Sequence, residues 1–318
     1  MKTVLMIAGV ILLLVILAVL AATVWFFRFA HLRVGNTDDM LDDEIRRAYR
    51  SLVEAGLAYV ESRPHEEVSV TSFDGLKLRG IYLPIENPRG CILCFHGYRS
   101  FGMQDFAPMP EYYQSLGLSV LVVDQRACGK SEGKYTTFGI LERRDVVTWA
   151  NYIKERVGDL PLLLDGLSLG STTVMLSADQ PLPETVRGII ADCGFTSPWD
   201  ILTHCGKKWF HLPPFPLVYL LSAVSRVMFG YGYKDCSTLT SLKNSTLPLL
   251  LLHGGEDDFV PTYMSEQNFE ASSASYKRKL IVPGAGHGMS YLTDMPRCQK
   301  ELADFVDHVL QPIAKTGM

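Results

Sequence analysis

The stretch Leu162–Thr172, LLLDGLSLGST, sets a serine between two glycines where an apolar run ends. Glycine weakens the interior of a strand, so Gly166 and Gly170 on either side of Ser168 point to a bend too tight for side chains. G-x-S-x-G between a strand and a helix is a nucleophile elbow, a sharp turn that lifts the serine hydroxyl clear of the backbone. A neutral hydroxyl is a poor nucleophile. It needs a base, and the base needs a carboxylate to orient it. Of the eight histidines, His287 in PGAGHGMS follows the last strand, in a loop spaced by Gly284, Gly286 and Gly288. His31 and His65 precede the sheet, His204 and His211 fall in an insertion, and His308 lies within the last helix. His96 and His253 each end a strand before glycine, where they brace turns. The carboxylate comes from LLLLHGGEDDFVP, which offers Glu256, Asp257 and Asp258. Such a set performs acyl transfer. Ser168 attacks a carbonyl, His287 carries the proton, and water releases the acyl group, with no metal or organic cofactor required.

The elements that must position these groups alternate strand and helix. EEVSVTS and LKLRGIYLP flank FDG and read as a hairpin. GCILCFHG, LSVLVVD, LPLLLDG, VRGIIADC, LPLLLLHGG and RKLIVPG read as buried strands. Helical spacing covers Ile140–Val157 and about Met295–Leu310. Continuous apolar strands separated by helices imply a mostly parallel sheet covered on both faces, with ligands at the carboxyl ends of the strands. The aromatic and proline-rich stretch at about 197–246 is too long for a simple connection and predicts a helical cap. Its Trp209, Phe210, Phe215, Leu217 and Tyr219 are the candidate walls of an apolar pocket, one that favours medium acyl chains over acetyl.

Val4–Phe27 is a run of 24 residues without a charge, long enough to span a bilayer as a helix. Trp25, Phe26 and Phe27 stand where an interfacial aromatic belt would lie, before Arg28. The run exceeds the roughly 7–15 apolar residues of a cleavable leader, which favours a retained, single-pass anchor. The expected organisation is therefore an anchor and flank over 1–35, a linker helix over 36–65, and a catalytic domain over 66–318. Residues 1–27 are expected to be dispensable for catalysis. Arg28, Arg33, Arg46 and Arg47 against Lys2 lean the domain towards the cytoplasmic side. Seven scattered cysteines form no disulfide framework. Cys91 and Cys94, three apart on a strand, face opposite sides and read as small buried hydrophobes rather than a metal site. A net charge of −4 gives no electrostatic reason to bind nucleic acid. The expected partners are a small-molecule acyl substrate and the lipid bilayer.

Together DGLKLRGIYLP, FHGYRS, VVDQRACGKSEG, GLSLGS, HGGEDDFVP and GAGHG resemble the α/β-hydrolase superfamily over residues 66–312. Within it the chain is similar to membrane-associated bacterial hydrolases related to prolyl-oligopeptidase-type and bile-acid acyltransferase-like catalytic domains. The resemblance implies the α/β-hydrolase fold with the chain order Ser, Asp, His. It selects Asp257, the fifth position of H-G-x-x-D-x-x-V-P, over its neighbours. It implies an oxyanion hole from the backbone N–H groups of Leu169 and Tyr98. Cys128 stands where the D-x-R-x-x-G-x-S turn usually has histidine or glycine, in a loop that Asp124, Arg126 and Gly129 brace. The implied activity is hydrolysis of a carboxylic ester or thioester. A peptidase or an acyltransferase would use the same residues, and a catalytically silent membrane module is the alternative outside the enzymes.

Overall fold

The computed structural model describes residues 1–33 and 50–311. Its centre is an eight-stranded sheet in the order β1-β2-β4-β3-β5-β6-β7-β8. The strands are β1 (Glu66–Thr71), β2 (Lys77–Leu83), β3 (Gly90–Phe95), β4 (Leu118–Asp124), β5 (Leu162–Leu167), β6 (Val186–Asp192), β7 (Leu249–Gly254) and β8 (Lys277–Val282). All eight fall on the segments that the sequence marks as strands. β1 and β2 run antiparallel to their neighbours, and every other pairing is parallel.

The helices follow in chain order: α1 (Lys2–His31), α2 (Arg50–Glu61), α3 (Gly102–Phe106), α4 (Pro110–Ser115), α5 (Glu142–Val157) and α6 (Leu169–Leu176). Then come α7 (Pro198–Phe210), α8 (Leu217–Phe229), α9 (Thr238–Lys243), α10 (Thr262–Ala271), α11 (Ser290–Thr293) and α12 (Met295–Val309). Of the helix expected over 36–65, residues 50–61 are helical, and 36–49 lie outside the described residues. The stretch between β6 and β7 carries α7, α8 and α9.

Side chains alternate across the strands, so each buried strand feeds two cores. Cys91, Leu93 and Phe95 of β3 join Leu121, Val123, Trp149 and Val174 on one face. Ile92 and Cys94 join Val120, Val122, Tyr113 and Phe305 on the other. Cys91 and Cys94 thus face opposite ways, and burial pushes both thiols up. All seven cysteines are free.

The N-terminal helix departs from expectation. Its length and composition suit a membrane span, yet its last turns are built into the globular part. Phe27 packs with Ile140, Leu176 and Leu221. Ala30 joins Phe138, Leu169 and Phe195. His31 is wholly buried. Its Nδ1 lies 2.6 Å from the Thr136 carbonyl and its Nε2 lies 2.6 Å from the Tyr233 hydroxyl. Arg33 then donates to the carbonyls of Ser131 and Gly129 at 2.6 and 2.5 Å. Phe27, inside the run expected to be dispensable, is therefore a core residue. Truncating a buried phenylalanine to alanine costs about 3–5 kcal/mol. Phe27→Ala in the full chain is expected to lower the thermal midpoint clearly in detergent, whereas Leu12→Ala, in the exposed part of α1, is not. Equal midpoints for the two variants would contradict this packing.

Candidate active site

The sharpest local geometry lies where β5 enters α6. Ser168 has φ 54° and ψ −110°. A non-glycine residue held there is strained by roughly 1–3 kcal/mol. Its N–H donates to the Asp192 carbonyl at 2.8 Å, which ties the bend to β6. A Cβ at Gly166 would lie 2.3 Å from the Gly170 carbonyl carbon and oxygen, so the first glycine lets the bend close on itself. A Cβ at Gly170 would lie 1.8 Å from the Phe95 carbonyl oxygen. The second glycine answers a different need: it lets α6 sit directly on the end of β3.

Three loops deliver their polar groups to this bend. His287, after β8, places Nε2 2.8 Å from Ser168 Oγ and Nδ1 2.8 Å from Asp257 Oδ2. Asp257, after β7, is buried, and its Oδ1 accepts from the amides of Phe259 and Val260 at 2.9 and 2.8 Å. Its Oδ2 is also 3.2 Å from His253 Nε2. Burial pushes this carboxyl up, but the hydrogen bonds from His253 and His287 outweigh it and hold Asp257 well below the ordinary carboxylate range. An ionised carboxylate only accepts, so His287 Nδ1 is the donor to Asp257, and in the neutral ring Nε2 is then the acceptor that faces the serine. Asp258 points away: its side chain is 85% exposed and pairs with Lys208 of α7 at 3.1 Å.

His253 is the residue that sequence reasoning placed only half correctly. It does brace a turn, with Nε2 2.9 Å from the Val260 carbonyl. It also touches Asp257. The signal was its place four residues before Asp257 in H-G-x-x-D, on the strand end that the carboxylate must fold back to reach. His96 is a turn brace alone, its Nε2 accepting from Gln125 N–H at 2.9 Å.

Leu169 opens α6, and Tyr98 lies in the loop after β3. Among the described residues neither backbone N–H has an acceptor. The β3 loop lies against the bend, since a Cβ at Gly97 would come 3.5 Å from Ser168 Cβ. Asp105 pins that loop through Gly97 N–H and Ser100 Oγ, both at 2.7 Å. The neighbouring turn is braced as its motif suggests. Asp124 accepts from Gly102 and Lys130 amides at 2.8 and 2.7 Å, and Arg126 makes a two-pronged pair with Asp145.

Ser168 faces a cavity of about 250 Å³. Of the four aromatic residues proposed as pocket walls, Trp209 and Phe210 line it. Phe215 and Tyr219 do not. Phe215 is 70% exposed, and Tyr219 packs outside against Trp199, 4.8 Å between ring centroids. Leu217, the fifth expected wall, does line it, and Val218 of α8 joins it, because a helix beginning at Leu217 turns those two inward. The cavity also has a wall unforeseen in the sequence, Phe26, Phe29 and Ala30 of α1.

Cys193 lies beside the site, its sulfur within 4.8 Å of the ligand atoms of Asp257 and His287. The three are a poor metal set. Burial pushes the Cys193 thiol well up and keeps it protonated, and the imidazole and carboxylate are already spent on each other and on Ser168.

Residues 90–217 match the family model for the alpha/beta hydrolase fold. The chain is 26% identical over 242 residues to the uncharacterized protein YqkD of Bacillus subtilis strain 168, covering 76% of this chain and 78% of that one. It is 24% identical over 255 residues to the uncharacterized protein YfhR of Escherichia coli K12, covering 78% and 82%. Among solved structures it is similar to the Pyrococcus furiosus esterase Pf2001, with a TM-score of 0.65 and 20% identity over 87% of this chain and 96% of the other. A dienelactone hydrolase from Anabaena variabilis gives 0.55 with 20% identity, covering 78% and 99%.

The Gly170 contact yields a direct test. Gly170→Ala forces a methyl into the Phe95 carbonyl, and overpacking of this kind costs about 1–3 kcal/mol. Gly206→Ala, on α7 where an added Cβ meets nothing within 4 Å, serves as the control. Denaturant midpoints should fall for the first and hold for the second. A Gly170→Ala chain as stable as its parent would contradict the close approach.

Proposed function

Starting from a chain with the α/β-hydrolase fold, we propose that it is a membrane-anchored serine hydrolase acting on carboxylic esters or thioesters. The observation that carries this reading is the unbroken line Ser168–His287–Asp257, two hydrogen bonds of 2.8 Å ending in a buried carboxylate, with the serine facing an apolar cavity. His287 Nε2 takes the hydroxyl proton as Ser168 Oγ attacks the acyl carbonyl. Asp257 stabilises the imidazolium that forms and keeps the ring in the working tautomer. The Leu169 and Tyr98 amides receive the carbonyl oxygen as it becomes negative, a contribution of roughly 100- to 1,000-fold per donor in related sites. His287 then returns the proton to the leaving alcohol or thiol. A water, deprotonated by the same Nε2, attacks the acyl carbon; the bond to Ser168 Oγ breaks, Oγ takes the proton back from Nε2, and a carboxylic acid leaves. The name of the Pyrococcus esterase, whose fold this chain shares, supports an ester over other acyl substrates.

Two features support a retained anchor. The apolar run has the length of a span, and cleavage after it would strip Phe27 from the packing of the domain. The excess of arginines after the helix favours the cytoplasmic side for the domain.

Ser168→Ala is expected to abolish labelling by a fluorophosphonate probe and to lower kcat on the order of a million-fold, as loss of the nucleophile does in a comparable triad. Retention of a tenth of the parent turnover would sink the mechanism. Asp257→Asn is expected to cost about 10,000-fold, because the His287 tautomer is no longer enforced. Asp258→Asn, which loses only an exposed pair to Lys208, should change turnover less than about tenfold. Turnover of both at saturating substrate decides between them, and the reverse order would move the acid to Asp258.

A further inference from the structure

Part of the wall around Ser168 belongs to the N-terminal helix. Phe26, Phe29 and Ala30 line the cavity together with Phe210 of α7 and Leu217 of α8. The domain grips these same turns. The Tyr98 hydroxyl donates to the Ala30 carbonyl at 2.7 Å. The Arg99 guanidinium donates to the Phe29 carbonyl and lies 5.0 Å from the Phe29 ring centroid.

The position of this wall along α1 is informative. A bilayer core takes up about 20 helical residues. Counted from Val4, these end near Thr23, which is the first residue of α1 buried against the domain. The wall begins three positions later, at the level of the membrane interface. Its surroundings are aromatic and exposed: Trp25, Phe29, Trp209 and Phe210 keep 55%, 45%, 47% and 37% of their surface open. Three of them form a continuous rim, with ring centroids 5.3 Å apart for Trp25–Phe29 and 6.3 Å for Phe29–Phe210, and Phe26 lies 4.9 Å from Phe210. An exposed apolar rim around an apolar cavity marks a membrane or ligand contact, and aromatic rings of this kind settle at the headgroup level.

Resting on the serine-hydrolase reading, we infer that the substrate is the ester of a long, single-chain amphiphile resident in the bilayer. Its acyl chain passes from the lipid between α1 and α7 and lies along Phe26 and Phe29, with its carbonyl at Ser168. Phe26 and Phe29 are then specificity-determining residues supplied by the anchor. A cavity of about 250 Å³ lies below the roughly 300–1,000 Å³ that holds a drug-sized ligand, which suits one chain rather than two.

The test uses the full chain reconstituted in phosphatidylcholine vesicles and reads the ratio of kcat/KM for a dodecanoyl ester over an acetyl ester of the same alcohol. Phe26→Ala with Phe29→Ala should lower this ratio tenfold or more. Gly206→Phe should lower it as well. Gly206 lines the same cavity and has open space around its missing Cβ, so that variant fills the chain site without loosening α1. A ratio unchanged by both variants would overturn the inference while leaving the hydrolase reading intact. In a second arm, a monoacylglycerol embedded in the vesicles should be cleaved at least tenfold faster than the same ester dispersed in detergent micelles. Equal rates would overturn entry from the bilayer. No hydrolysis of any ester and no fluorophosphonate labelling by the unaltered chain would overturn the hydrolase reading, and this inference with it.

Discussion

The site depends on the approach of Gly170 to the Phe95 carbonyl, a distance that admits no side chain. It seats the first turn of α6 on the end of β3. The loop leaving β3 and the bend leaving β5 are then neighbours, with Gly97 of that loop close against Ser168. The strained φ of Ser168 follows from the same contact. A relaxed turn would carry α6 away from β3. Parallel pairing on both sides of β5 and the tie from Ser168 N–H to Asp192 hold the residue where its own backbone preference would not.

The carboxylates behind the bend divide by environment. Asp165, Asp192 and Asp257 are all buried. Burial pushes Asp165 up to about 7, against the hydrogen bond from the Tyr113 hydroxyl at 2.5 Å. Burial also pushes Asp192 up. Asp257 alone is held low, because two imidazoles and two amides converge on it. A buried charge is tolerated only when its acceptor sites are filled, and Asp257 is the one carboxylate of the three with that set. His253 contributes twice. It fills an acceptor site of Oδ2, and by holding the Val260 carbonyl it keeps the loop from turning the carboxylate away from His287.

Most of this framework was legible in the chain because its signals are local. Strand runs, the glycines at 166 and 170, and the glycine-spaced His287 each announce themselves within about ten residues. The three side chains singled out for chemistry are the three that meet within hydrogen-bonding distance. The cavity wall was less legible, since which face of a short helix turns inward depends on where the helix starts. Beginning α8 at Leu217 brought Val218 to the cavity beside the expected Leu217 and left Phe215 and Tyr219 outside. The role of α1 had no local signal at all. A helix apolar on every side reads as lipid-facing throughout, and nothing in WFFRFAH separates a ring that meets lipid from one that meets protein.

That ambiguity has a physical source which bears on how the molecule is built. Hydrocarbon chains and the interior of a protein are equally good solvents for phenylalanine, so one helix can continue from bilayer into domain without a change of composition. The change appears only in the polar groups. His31, Arg33 and the carbonyls of Phe29 and Ala30 find protein partners where a purely interfacial helix would meet water. Tyr98 holds the Ala30 carbonyl through its hydroxyl and lines the same cavity as Ser168, so the end of α1 and the loop after β3 meet at a single residue. The seating of α1 and the shape of the loop after β3 are therefore coupled through Tyr98, and a domain stripped of the helix would lose a cavity wall and the brace of that loop together.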